Sequence, residues 1–121
     1  MIPNRERVDS DNQSSDDPLA GDSELRRELA VMFLEDCPKL LIEIRTALTQ
    51  RDGPSLKHAA HTLKGSAGVF KVQPAYDAAL RMEHIGKDCD WDHGEVAWNI
   101  VNKEMASLSS TLLNLTNSAP Q

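Results

Sequence analysis

Residues 54–70 read PSLKHAAHTLKGSAGVF. Leu56, Ala59, Ala60, Leu63, Ala67 and Phe70 recur at the three- and four-residue spacing of one helical face. With Leu63 at zero on a wheel of about 100° per residue, the other five fall within about 60° of it, so that arc is the core face. His61 lies at about 160°, nearly opposite. Lys57, Lys64, Gly65 and Gly68 fall between about 100° and 200°, on the same outer side, and His58 lies just past them. An imidazole at position 61 therefore faces water. Each glycine inside a helix costs about 1 kcal/mol relative to Ala, so Gly65 and Gly68 need a reason. Either another helix packs closely over them, or the missing side chains leave room beside His61 for a bulky incoming group. Their outward phase favours the second.

The pattern stays helical on both sides. Leu25, Leu29, Met32 and Phe33 recur at helical spacing after Ser23, a plausible N-cap. Asp36-Cys37-Pro38 interrupts that run, and proline inside a helix removes a hydrogen bond, so a new helix or a kink is expected there. Cys37, Leu40, Leu41, Ile44 and Leu48 form the following stripe, and Arg51-Asp52-Gly53-Pro54 ends it and restarts the chain. Gln73-Pro74 opens the next helix, which is expected to end near Gly86. Trp91, Asp92 and Gly94 lie in or near the next connection. Val101, Met105, Leu108, Leu112 and Leu115 mark a last helix over about 95–115. Short connections between one-faced helices imply antiparallel neighbours. The expected fold is all-α: an up-down antiparallel four-helix bundle, with an additional short N-terminal helix over Ser23–Glu35 packing across it.

Composition agrees. The chain has 121 residues, suited to one domain, and its 40% hydrophobic content includes only 4% aromatics, which leans towards helix. Residues 1–22 carry −4 of the net −6 and few apolar side chains. They read as a disordered acidic tail ahead of a domain over 23–116, with 117–121 a flexible C-terminus. So acidic a chain is a poor nucleic-acid binder. With no apolar run of membrane-spanning length and no signal-peptide core, a soluble, cytoplasmic, monomeric protein is expected. Cys37 and Cys89 lack metal or disulfide spacing and read as reduced thiols, partly or wholly buried.

The local charge around His61 is opposite in sign. From Arg51 to Lys71 there are four cations (Arg51, Lys57, Lys64, Lys71) and one anion, Asp52. Lysines flank His61 at i−4 and i+3, where they attract an anion such as a phosphoryl group and stabilise charge on its oxygens in a loose transition state. Histidine's ordinary pKa of about 6.5 leaves a neutral nucleophile near neutrality. There is no P-loop, no kinase-type Gly-rich loop and no cluster of metal-binding carboxylates.

His61-Thr62-Leu63-Lys64-Gly65-Ser66-Ala67-Gly68 resembles the signature of histidine phosphotransfer (HPt) domains, roughly H-[ST]-L-K-G-[SA]-[SA]. His58-Ala59-Ala60 and the run from Phe33 to Leu41 also resemble the family's helices, so the resemblance spans about Ser23 to Leu115. It implies a helical bundle that relays phosphoryl groups, with His61 the phospho-acceptor through Nε2 and Lys64 and Gly65 beside it. Lys57, Gly68 and Ser66 would support it. The implied partners are response-regulator receiver domains and a sensor or hybrid histidine kinase. No cofactor is implied for this chain, since the receiver would supply the Mg²⁺. In some relatives, including the module of the chemotaxis kinase, a Glu on the following helix holds the other imidazole nitrogen. An ungapped count puts that role on Glu83, which otherwise reads as a surface carboxylate paired with Arg81 or Lys87. Lys71 stands where many members carry Gly, which puts the turn geometry there in question. Two other functions compete: an adaptor that binds a receiver without phosphorylation, and a metal-binding bundle using His58 and His61 with His84 or Cys89.

Overall fold

The computed structural model describes residues 23–117. Four helices run Ser23–Gln50 (α1), Gly53–Gly68 (α2), Gln73–Asp88 (α3) and Gly94–Asn117 (α4), with a 3₁₀ turn at Trp91–His93 before the last. Each helix packs on the next, and α4 closes back onto α1, leaving α2 and α4 on the diagonal. This is the expected all-α antiparallel bundle. The expected acidic tail 1–22 and residues 118–121 lie outside the described residues; Asn117 is helical. Among the described residues, no helix is long and apolar enough to cross a membrane.

The expected separate N-terminal helix is instead the first half of α1, which passes through Pro38 without a break. Ala30, Phe33, Cys37, Ile44, Ala47 and Leu48 are all buried, one stripe in one phase across the proline. The lost backbone hydrogen bond and ring clash cost about 3 kcal/mol. Burying Phe33 contributes about 1.5–3 kcal/mol. Its edge-to-face contact with Phe70, centroids 5.7 Å apart, adds about 0.5–1.5 kcal/mol. Continuity of the stripe thus offsets the proline. The same phase turns Leu25 and Met32, expected on the apolar stripe, to the exposed side.

The core face read from α2 is the observed one: Leu56, Ala59, Ala60, Leu63, Ala67 and Phe70 are buried. Asp52 caps α2, its carboxylate accepting from the Ser55 amide at 3.2 Å and the Ser55 hydroxyl at 2.7 Å. These bonds hold the Asp52 carboxyl below the usual carboxylate range. Lys71 takes the left-handed backbone conformation at φ 58°, so the turn keeps the geometry glycine favours, at a cost of about 1–2 kcal/mol.

Gly86 does not end α3. The helix continues to Asp88 and is capped by Cys89 in the left-handed conformation at φ 54°. Gly86 is buried where α2 and α3 meet: a Cβ there would stand 2.6 Å from the Lys57 amide nitrogen and 2.9 Å from the Gly53 carbonyl oxygen. Its purpose is contact between backbones. Cys37 is buried, and burial pushes its thiol up from the ordinary value. Cys89 is exposed, against expectation, because the capping position lies at the rim of the bundle.

Candidate functional site

The close approach at Gly86 fixes which residues of α3 oppose the outer face of α2. His61 sits in the middle of α2 with its side chain 64% exposed. Across the interface, Glu83 Oε2 lies 3.0 Å from His61 Nδ1. The other carboxylate oxygen, Oε1, is buried and lies 2.9 Å from the Lys64 ammonium. Glu83 therefore spans His61 and Lys64 and does not pair with Arg81 or Lys87 in this way. An Nδ1–H donates to Oε2, which leaves Nε2 as the nitrogen with a free lone pair.

Lys64 is not the outward-pointing cation the wheel suggested. Its side chain is only 17% exposed, held between Glu83 and the Tyr76 ring, whose centroid is 5.9 Å from Nζ. The Lys64 ammonium is the main cause that holds the Glu83 carboxyl below its usual range; burial opposes it and the bond to His61 assists it. Reciprocally, Glu83 raises the Lys64 ammonium above its usual value. The site is thus built around a carboxylate that stays charged.

The two glycines of the motif differ. A Cβ on Gly65 would meet nothing within 4 Å, as an access role requires. A Cβ on Gly68 would lie 3.4 Å from Tyr76 Cδ1, an ordinary contact, so Gly68 faces a ring where Gly65 faces open space. Ser66 is half-buried beside the small apolar groove formed with Leu29, Met32, Phe33, Val69 and Phe70. Lys57, His58, His61, Glu83 and Pro54 line an open cleft of about 390 Å³. His84 lines a different cleft with Asp77, Arg81 and Asp90. Among the described residues, no three His, Cys, Asp or Glu stand together in a way that could hold a metal ion. Tyr76 went unread at the sequence level. It is the chain's one tyrosine, seven residues before Glu83 and hence on the same face of α3.

An exposed imidazole, one nitrogen tied to a charged carboxylate and open space one turn on, suits transfer of a bulky anionic group. No curated protein and no solved structure matches the chain. The sequence model of the Hpt domain matches residues 28–111, a range that holds α2, α3, most of α1 and α4 and the whole site, and the chain belongs to the Hpt domain family, whose members carry phosphoryl groups in two-component phosphorelays.

Proposed function

We propose that this chain is a phosphorelay intermediate in which His61 accepts a phosphoryl group from a receiver-domain aspartate, or from a kinase, and passes it to a response regulator. The observation that carries this is the His61–Glu83 contact at 3.0 Å on an otherwise exposed ring. The Nδ1–H bond to Glu83 fixes the tautomer whose Nε2 lone pair is free. Nε2 attacks the phosphorus of an aspartyl phosphate; the N–P bond forms as the P–O bond breaks, and the aspartate leaves as a carboxylate beside the receiver's Mg²⁺. The positive charge that develops on the imidazole is balanced by Glu83, which needs no reorganisation because Lys64 already keeps it anionic. The reverse sequence delivers the group onward.

Lys64 in this scheme acts through Glu83. Gly65 leaves clearance for the incoming acyl phosphate, and Lys57 supplies positive potential at the cleft. Ser66 belongs to the α1 side of the docking face, and Gly68 lies against the Tyr76 ring. The chain requires no nucleotide site of its own, and its partners are receiver domains and a sensor or hybrid histidine kinase in the cytoplasm.

Incubation with a phosphorylated receiver domain tests this. The wild-type chain should take up acid-labile, base-stable phosphate on His61, and a His61→Gln variant should take up none. Acid-labile label on that variant would overturn the assignment. A wild-type chain that binds the receiver yet never takes label would be an adaptor instead.

A further inference from the structure

Glu83 needs Lys64 against it, and something must keep a long, mobile lysine there. A free lysine side chain loses considerable rotamer entropy when held. The Lys64 ammonium meets two groups from α3: Glu83 Oε1 at 2.9 Å and the Tyr76 ring, 5.9 Å to its centroid. The second distance lies within the reach of a cation–π interaction. Tyr76 and Glu83 are two helical turns apart on one face of α3, and Lys64 and Gly68 one turn apart on the facing side of α2. Gly68 lies against the same ring, where a Cβ would stand 3.4 Å and 3.6 Å from two of its carbons, in ordinary contact.

We infer that Tyr76 is a positioning residue for phosphotransfer: its ring holds the Lys64 ammonium on Glu83 and so keeps the carboxylate against His61. The inference rests on His61 being the phospho-acceptor. It assigns the aromatic ring, and not the phenol hydroxyl, as the working part.

Nuclear magnetic resonance of the unphosphorylated full chain tests it. In the wild type, the Lys64 ε-methylene protons should show an upfield ring-current shift; its absence overturns the inference without any variant. Tyr76→Leu should move the Glu83 titration up towards the ordinary carboxylate range and lower the fraction of His61 carrying its proton on Nδ1. It should also slow transfer from a phosphorylated receiver about two- to fivefold. Tyr76→Phe should restore all three. An unchanged Glu83 titration and His61 tautomer in a folded Tyr76→Leu protein overturns the inference, as does a Phe variant as impaired as Leu. Because the spectra are taken without phosphate, they separate the two claims. A wild type that never takes label sinks the phosphotransfer reading, whereas normal labelling with unperturbed variant spectra sinks only the role of Tyr76.

Discussion

Gly86 and Gly65 lie on either side of His61 and have opposite surroundings. At Gly86 a Cβ would strike the Lys57 amide at 2.6 Å; at Gly65 it would meet nothing within 4 Å. The first is empty because another backbone fills the space. The second faces open space, which the proposed transfer would use for access. The buried glycine sets how close α2 and α3 come, and hence whether Glu83 reaches His61. The open glycine affects only what can approach from outside. On the proposed function, the first would govern the assembly of the site and the second its access, and substitutions should separate stability from transfer accordingly.

The largest effect is expected at the buried position. Gly86→Ala forces two backbones apart and should destabilise the fold by about 1–3 kcal/mol, as overpacked cores do, read as a lower denaturation midpoint in urea. Because the same shift draws Glu83 from His61, transfer should also fall; a variant with wild-type stability would end the comparison.

Lys64→Ala comes next. A solvent-exposed lysine would contribute little, but this substitution leaves Oε1 of Glu83 without its cation, so a measurable destabilisation, smaller than that of Gly86→Ala, is expected in urea unfolding. The pH dependence identifies the pair. The Glu83 carboxyl is lowered on folding, so its contribution is present above the ordinary carboxylate value of about 4.3 and is lost as pH falls through the lower folded value. The Lys64 ammonium is raised, so its contribution is present below about 10.4 and lost as pH rises through the higher folded value. The stability gap between wild type and Lys64→Ala should be widest between these limits and close in acid. A gap constant down to the acid limb of unfolding would show that the ion pair is not its source.

Gly65→Leu should affect stability least, and in the other direction. Leucine is the better helix former, so a gain of up to about 1 kcal/mol is expected, with slower transfer because the side chain occupies the approach to His61. Equal transfer rates for this variant and wild type would refute the access role of Gly65.

Much of this was legible in one dimension. Helical periodicity in residues 54–70 placed Leu63 inside and His61 outside, and both stand there. Counting forward from the motif reached Glu83, because α2 and α3 are joined by a short turn that leaves little freedom in register. The separate helix expected ahead of Pro38 is the first half of α1, since a local penalty was set against burial along a stripe that only the bundle supplies. The end of α3 was read near Gly86 and falls at Asp88; what local reading could not show is that the close neighbour of Gly86 is the backbone of another helix.

The sequence by itself determined four helices, the face of each that is buried and the outward histidine. A helix's own period relates residues of that helix, and apolar burial follows from it. Only the tertiary structure decided that Lys64 turns from solvent to Glu83 and Tyr76, that Gly68 faces a ring and that Gly65 stays open. Those are distances between α2 and α3, set by how closely two backbones approach at Gly53 and Gly86, and no periodicity within either helix contains them.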